Sequence, residues 1–404
     1  MSTSLLYHGF CIRGYHYIRS LFVRGRIVFK IKQDRFSLRC PECHSKELIL
    51  KGHVSRVFRT LPIGNKPVFI EFAIPRIKCL ACQVIKQVKI AFADTRRTYT
   101  KAFERYVLEL SRHMTISDVA RHLGVGWDMV KDIQKRYLNR RFSKPKLTQL
   151  KQIAIDEISI GSGHRYLTVV LDLTTGAVVF IGSGKGSEAL IPFWKRIKRC
   201  KAKIEAVAID MSPAYIKAVT KNLPEAVIVF DHFHVVKLFN DQLAEFRRSL
   251  QSQMESKKNA QFLKGTRWLL LKNPENLNPR KNERQKLEQA LEINKPLATA
   301  YYLKEELRQL WKQHSKFHAA NLMNTWILKA KASDIRFLGH FADTLEKHWE
   351  GILAYYNHNI STAPLEGTNN KIKTLQRQAY GFRDMEFFKL KIYALHRTRY
   401  ALVG

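Results

Sequence analysis

The amino-acid sequence predicts an α/β fold in which a sheet-containing core is interrupted by an all-helical insertion and preceded by two small N-terminal modules. Three observations support this fold class. Short apolar runs end in aspartate between residues 153 and 231, two C-x-x-C pairs lie in the first 82 residues, and the strand signal disappears over residues 235–356. A chain of 404 residues with 45% hydrophobic content is long enough to build two or three domain cores.

The charge of the chain indicates a polyanionic partner. The sequence has 70 lysines and arginines against 34 aspartates and glutamates, a net charge of +36 at pH 7. Residues 1–150 alone carry 30 basic and 10 acidic side chains, a net +20. Such an excess argues against a free-standing enzyme of small metabolites. The sequence has no apolar stretch of about 18 residues that could span a bilayer, so we expect a cytoplasmic protein without a membrane partner.

Residues 1–95 are predicted to form a zinc-binding module of short strands. Cys40 and Cys43 form one C-x-x-C pair, and Cys79 and Cys82 form a second one after a gap of 35 residues. Four thiolates satisfy the tetrahedral geometry of zinc and leave no open position, so the site would be structural. The alternative is a set of ordinary buried or free cysteines. Two matched pairs in a basic module favour zinc, in a reducing compartment.

Residues 96–148 are predicted to form a helix-turn-helix domain. Two short amphipathic patterns flank the glycine turn of residues 124–126, one with Val119, Ala120 and Leu123 on its apolar face and one with Val130, Ile133 and Tyr137. The alternative is a pair of core helices with a solvated basic face, and the charge excess favours DNA. The second helix would then offer these residues to a major groove and its phosphates: Asp128, Met129, Lys131, Lys135 and Arg136.

Residues 149–239 are predicted to form the first part of an α/β sheet, because short apolar runs alternate there with helical patterns. Asp156 and Asp210 each close such a run. Carboxylates held by a rigid sheet suit a hard cation that prefers oxygen ligands. Taken singly, an aspartate at a strand end is more often a turn former or a helix cap. Asp231 and His234 form a D-x-x-H pattern after another strand, which either supports a metal ligand or phosphate or caps a helix.

Residues 240–342 are predicted to form the helical insertion, and residues 343–404 return to the core. Glu366 enters a helix that also carries Lys373, and because seven residues make two turns, the two side chains share a face. Two aspartates on neighbouring strands and a glutamate from a helix could hold two divalent ions about 4 Å apart. A lysine on the same helical face would contact the DNA backbone.

In this order, the motifs resemble those of the ISL3 family of bacterial insertion-sequence transposases. The resemblance covers nearly the whole chain and implies an RNase H-like core with a DDE triad of Asp156, Asp210 and Glu366 that binds Mg²⁺ or Mn²⁺. The second carboxylate is the loosest match: Asp210 ends the more central strand, which leaves Asp231 with His234 in a supporting role. Besides the cysteine pairs and the helix-turn-helix, the resemblance rests on Leu6-Tyr7-His8, Ile155-Asp156-Glu157, Ile209-Asp210-Met211-Ser212-Pro213, Phe230-Asp231-His232-Phe233-His234 and Leu365-Glu366-Gly367-Thr368-Asn369-Asn370-Lys371-Ile372-Lys373.

The function that this resemblance implies is metal-dependent DNA cleavage and strand transfer. The two N-terminal modules would bind terminal inverted repeats, Lys371 and Lys373 would contact DNA near the triad, and a homodimer would hold two DNA ends in the bacterial nucleoid. Two other classes stay open. A non-catalytic zinc and helix-turn-helix regulator has no use for three carboxylates at sheet positions, and an RNase H-like nuclease would show no preference for repeat ends.

Overall fold

The computed structural model describes residues 4–161 and 163–396. They form two compact units, one comprising the described residues up to Ser143 together with those from Leu375 onward, and the other running from Lys144 to Thr374. The sequence predicts that residues 343–404 belong to the catalytic core, whereas in the structure the described residues 375–396 belong to the first unit. The last part of that prediction, residues 397–404, lies outside the described residues. Within the described ranges, no helix combines the length and the apolar character needed to cross a membrane.

The first unit contains a five-stranded sheet of β1 (Tyr15–Val23), β2 (Arg26–Gln33), β3 (Leu48–Ile63), β4 (Lys66–Cys79) and β5 (Ile85–Gln87). Its strand order is β1-β2-β4-β3, and β5 pairs with β4. Strands β2 and β4 run parallel, and the other pairs are antiparallel. Strand β4 shows why this region folds as a sheet: Val68, Ile70, Phe72 and Ile74 alternate with more exposed residues and are fully buried. Helix α1 (Leu5–His8) precedes the sheet.

Three helices follow the sheet: α2 (Lys101–Leu110), α3 (Ile116–Leu123) and α4 (Trp127–Phe142). The Thr115 side chain caps α3 by accepting a hydrogen bond from the Asp118 backbone nitrogen at 3.1 Å. Gly124 ends α3 in the left-handed conformation, with φ of 61°, and so lets the chain turn tightly into α4. Of the apolar faces expected from the sequence, Val119, Ala120, Leu123, Val130 and Ile133 are buried, whereas Tyr137 is only partly buried against the same core.

The second unit is built on a five-stranded sheet of β6 (Gln152–Gly161), β7 (Arg165–Asp172), β8 (Val178–Ser183), β9 (Ala206–Ile209) and β10 (Val227–Phe230). The strand order is β10-β9-β6-β7-β8. Strands β6, β7 and β8 form an antiparallel meander, whereas β9 and β10 run parallel to β6 and are reached through crossover helices. This is the strand order of an RNase H-like core. The crossover helices are α5 (Ile191–Cys200), between β8 and β9, and α6 (Pro213–Asn222), between β9 and β10.

The helical region after β10 has an aromatic core of its own. The rings of Phe239, Trp326 and Phe341 pack edge to face with centroids 5.0 to 6.0 Å apart, and the Trp326 indole donates a hydrogen bond to the Leu303 carbonyl at 2.7 Å. The helices are α7 (His232–Gln253), α8 (Lys257–Gly265), α9 (Arg267–Leu271), α10 (Glu283–Ile293), α11 (Lys295–Arg308), α12 (Lys316–Ala332), α13 (Arg336–Lys347), α14 (Trp349–Leu353) and α15 (Tyr355–His358).

Two more helices complete the described chain: α16 (Ala363–Gln378) and α17 (Met385–Ala394). Helix α16 carries Glu366 in its first turn. Helix α17 belongs to the first unit, where Phe387, Leu390 and Ala394 share a hydrophobic core with α3 and α4. The helix-turn-helix core therefore includes residues that lie some 250 positions further along the chain.

Candidate active site and DNA-binding modules

Three aspartates lie side by side across three neighbouring parallel strands of the second unit. Ala154 pairs with Ala208 between β6 and β9, and Phe230 pairs with Ile209 between β10 and β9. Continuing that register by one or two residues places Asp156 beside Asp210 and Asp210 beside Asp231. Strand β6 runs past Asp156 to Gly161, so this carboxylate projects from within a strand and does not end one.

Asp156 is partly buried and is held by two hydrogen bonds. Its Oδ2 accepts one from the Asn369 side-chain amide of α16 at 2.9 Å, and its Oδ1 accepts one from the Glu157 backbone nitrogen at 2.7 Å. Burial raises the pKa of Asp156, and the negative charge of Asp210 adds to that effect. The site therefore concentrates negative charge where a cation would relieve it.

Asp210 and Asp231 have different surroundings. Asp210 is partly exposed, and its Oδ1 accepts a hydrogen bond from the Ser212 backbone nitrogen at 3.1 Å. Asp231 is 1% exposed: its Oδ1 accepts from the Thr362 backbone nitrogen at 3.2 Å, and its Oδ2 lies 3.1 Å from His234 Nδ1. Burial alone would raise the pKa of Asp231, but the hydrogen bonds from His234 and Thr362 outweigh it and lower the pKa. The same hydrogen bond raises the pKa of His234.

Glu366 lies in the first turn of α16 and is its only acidic residue. The side chain is exposed, and its backbone nitrogen bonds to the Thr362 carbonyl at 2.9 Å. Asn369, which contacts Asp156, follows three residues later, so Glu366 and Asn369 are neighbours on the helix surface. Lys371 and Lys373 are also exposed, and neither forms an ion pair with a described residue.

The chemistry of this site suits divalent cations with oxygen ligands. Besides the aspartate row, the buried Oδ1 of Asn369 has no hydrogen-bond partner within the described ranges and adds an oxygen atom beside Asp156. The carboxylates of Asp156, Asp210 and Glu366 do not all lie within 4.8 Å of one another. Within residues 4–161 and 163–396, only the four cysteines form a group of possible metal ligands that close together. The triad therefore stays a prediction.

The four cysteines of the first unit form a compact cluster. Sγ–Sγ distances are 3.6 Å between Cys40 and Cys82, 3.5 Å between Cys43 and Cys79, and 3.5 Å between Cys43 and Cys82. Zinc–thiolate bonds of about 2.3 Å in a tetrahedron place the sulfur atoms slightly under 4 Å apart. The cluster fits a structural four-thiolate zinc site.

The basic residues expected to contact DNA from α4 have acidic partners inside the first unit. Lys131 and Lys135 lie 3.1 and 3.0 Å from the Asp384 carboxylate, and Arg136 lies 3.0 Å from that of Glu104. A role of these three residues in DNA binding stays a prediction, and each would have to exchange an internal ion pair for a phosphate. At the start of α4, Trp127 is about half exposed, a feature that the sequence pattern did not reveal.

Known proteins match the chain along most of its length. A family model described as "Transposase" matches residues 153–392, one described as "Helix-turn-helix domain of transposase family ISL3" matches residues 88–138, and one described as "zinc-finger of transposase IS204/IS1001/IS1096/IS1165" matches residues 37–82. The transposase for insertion sequence element IS1001 of Bordetella parapertussis is 33% identical over 358 residues, which is 88% of each chain. The transposase for IS1557 of Mycobacterium tuberculosis is 28% identical over 385 residues, 89% of this chain and 86% of the relative.

A solved structure titled "Drosophila P element transposase strand transfer complex" covers 74% of this chain and 93% of its own, with a TM-score of 0.39 and 8% identity, which is too distant to support an argument. The family matches confirm the zinc-binding, helix-turn-helix and RNase H-like predictions, and with them structural zinc and a divalent-metal reaction. The chain therefore belongs to the ISL3 family of DDE transposases, enzymes that bind DNA, cleave it and transfer its strands.

Proposed function

We propose that Asp156, Asp210 and Glu366 form the catalytic triad of this transposase, with Asp231 and His234 in support. The observation that carries the proposal is the 2.9 Å hydrogen bond from the Asn369 amide to the Asp156 carboxylate. This hydrogen bond joins α16 to the sheet that carries the aspartates. Glu366 is the only acidic residue of α16.

Two anchors fix the helix around Glu366. Asp231 accepts a hydrogen bond from the backbone of Thr362, the residue just before α16, and Asn369 bonds to Asp156 two turns into the helix. Glu366 lies between these anchors. Glu366 precedes Asn369 by three residues, about one helical turn, which supports a Glu366 carboxylate that extends toward Asp156 when cations bind.

Asp210 is a better second carboxylate than Asp231. Both oxygens of Asp231 are already occupied, one by the Thr362 backbone and the other by His234, and the side chain is 1% exposed. Asp210 keeps one oxygen free of described hydrogen bonds and lies after the central strand β9. Asp231 then positions α16 and orients the His234 ring.

Divalent ions bound by this triad would stabilise both the attacking oxygen and the leaving oxygen in phosphodiester displacement. Two hydrogen bonds orient side chains of the site: Asn369 fixes the Asp156 carboxylate, and Asp231 fixes the ring of His234. The exposed ammonium groups of Lys371 and Lys373 are available for the phosphates of the bound DNA.

The substrate of the proposed reaction is the pair of terminal inverted repeats of the element that encodes the protein. The zinc-binding module and the helix-turn-helix would recognise them, because phosphate contacts position a protein on DNA and base contacts specify the sequence. Cleaving two ends together requires two active sites, so we propose a homodimer on DNA that works at the bacterial nucleoid.

Cleavage of labelled DNA carrying the flanking repeats, with Mg²⁺, tests this proposal. Wild-type protein should cut at the repeat boundary, and Asp156→Asn, Asp210→Asn and Glu366→Gln should each cut on the order of 10³-fold more slowly while DNA binding persists. Asp241→Asn, which changes an exposed carboxylate of α7, is the matched control and should cut like wild type.

Two results would contradict the assignment. Cutting by Glu366→Gln at the wild-type rate would remove this residue from the triad. A residual rate in Asp210→Asn that exceeds the rate of Asp231→Asn would exchange the roles of the two aspartates.

A further inference from the structure

A basic cleft of about 850 Å³ lies in the first unit, between the β3–β4 hairpin and the turn of the helix-turn-helix. One wall comes from the zinc-binding sheet and the other from α3 and the start of α4. The residues that line it include no aspartate or glutamate. Its polar lining includes Arg26, Arg59, Asn65, Tyr106, Arg121 and His122.

The deepest cation of the cleft is Arg59 of strand β3, which is 6% exposed. Its Nη2 donates to the Leu123 carbonyl at 3.0 Å, whereas its Nε and Nη1 have no hydrogen-bond partner in the described part of the chain. The guanidinium lies 5.1 Å from the Phe69 ring centroid and 5.6 Å from that of Phe103. Aromatic rings attract the charge but offer no oxygen acceptor for the remaining N–H groups.

A buried guanidinium with unpaired N–H groups, such as that of Arg59, is energetically unfavourable unless an anion binds to it. Burial lowers the pKa of Arg59, and the positive charge of Arg26 adds to that effect. A buried charge is normally paired, because its lost hydration is otherwise not replaced. Arg121 at the mouth pairs with Asp118 at 3.2 Å, but that contact is exposed and does not reach Arg59.

We propose that this cleft binds one phosphate group of the DNA backbone, with Arg59 as its buried contact and Arg26 and Arg121 at its mouth. A phosphate supplies the acceptor oxygens that the Arg59 N–H groups need, and Arg is the side chain best shaped for it. The walls of the cleft are the two modules proposed to recognise the repeats, on which this inference rests. One phosphate gripped between them would fix the register of both modules on the same duplex.

DNA affinity as a function of salt tests the inference in the full chain, with Ca²⁺ in place of Mg²⁺ to suppress cleavage. Arg59→Gln should weaken binding about 10-fold to 100-fold and reduce the slope of log K against log salt by about 0.9, the value for one phosphate. Arg112→Gln, an exposed arginine paired with Glu109 outside the cleft, is the matched control and should leave both quantities unchanged.

Arg26→Gln keeps the test decisive if Arg59→Gln does not fold, because Arg26 is exposed and forms no ion pair within the described chain. It should weaken DNA binding in the same direction by a smaller factor. An unchanged affinity and salt slope in a folded Arg59→Gln variant would overturn the inference. If Arg59→Gln does not fold, unchanged values in Arg26→Gln would overturn it.

Inorganic phosphate separates a DNA phosphate from a free anion. If phosphate raises the melting temperature of wild-type protein but not of Arg59→Gln, while DNA affinity is the same in both, the cleft is a free-anion site and the DNA assignment is wrong. The binding series is run on repeat and scrambled duplexes. Equal affinity of wild-type protein for both duplexes would refute the proposed repeat recognition. The difference in salt slope between wild-type protein and Arg59→Gln can be measured on either duplex, so it tests the phosphate site independently.

Discussion

Replacing Asn369 by alanine tests how the helix that carries Glu366 is joined to the sheet. The Asn369 side chain is 7% exposed and donates its amide hydrogen to Asp156 Oδ2 at 2.9 Å. Alanine removes this donor but keeps helix propensity. Because the site is largely buried, we expect water to replace the lost hydrogen bond poorly.

The size of the effect follows from the type of bond. A hydrogen bond to a charged group contributes about 1.5–3 kcal/mol, and losing a partner that orients a metal ligand typically costs 10-fold to 100-fold in activity or metal affinity. We therefore expect Asn369→Ala to cleave about 10-fold to 100-fold more slowly and to require more Mg²⁺ for half-maximal rate.

Single-turnover cleavage over a series of Mg²⁺ concentrations is the assay, with DNA affinity measured separately. Asn370→Ala is the matched control, because this neighbouring asparagine is exposed and its side chain makes no described hydrogen bond. Wild-type cleavage and Mg²⁺ dependence in Asn369→Ala would refute the positioning role. A loss of rate equal to that of Asn370→Ala would also refute it.

Three further changes have defined outcomes. Cys43→Ser should abolish zinc binding, measured as zinc per chain, and with it the DNA affinity of the first unit; full affinity without zinc would contradict a structural role. Burial raises the pKa of Asp384, but hydrogen bonds from the Phe387 backbone and two lysines outweigh burial and lower the pKa to about 2. The charged Asp384 carboxylate therefore stabilises the fold at pH values above about 4, the ordinary pKa of aspartate, and this stabilisation is lost as the pH falls toward about 2. Asp384→Asn should therefore lower the free energy of unfolding by about 1–2 kcal/mol at pH 7, and denaturant titration should show this difference shrinking between about pH 4 and 2. Gly351→Ala would place a Cβ 2.4 Å from the Phe230 ring, next to Asp231, and should cost about 1–3 kcal/mol and reduce cleavage, whereas Gly339→Ala, with no neighbour within 4 Å, should not.

The sequence predicts those parts of the fold and site that depend on local patterns. Apolar runs locate β9 and β10 closely, because a buried parallel strand is apolar on both faces. Residues just after such strands meet at one edge of the sheet, so the neighbourhood of Asp210 and Asp231 follows from the runs themselves. The four cysteines could also be predicted as zinc ligands, because the C-x-x-C spacing is typical of structural zinc sites.

Contacts between distant residues could not be predicted in this way. The bond between Asn369 and Asp156 joins residues 213 positions apart, and the ion pair of Lys135 with Asp384 spans 249 positions. Helical periodicity shows which face of α4 is polar, but not that Asp384 and Glu386, at the start of α17, form ion pairs with the lysines of that face. Similarly, Arg59 looks like any basic residue of a strand until the fold buries it.

The central claim is that Asp156, Asp210 and Glu366 bind the same pair of divalent ions. A crystal structure of the transposase on a cleaved repeat end, soaked with Mn²⁺ and measured at the manganese edge, tests it most directly. We expect two anomalous peaks about 4 Å apart, contacted by the carboxylates of all three residues. Peaks held by Asp231 in place of Asp210, or peaks beyond the reach of Glu366, would contradict the account.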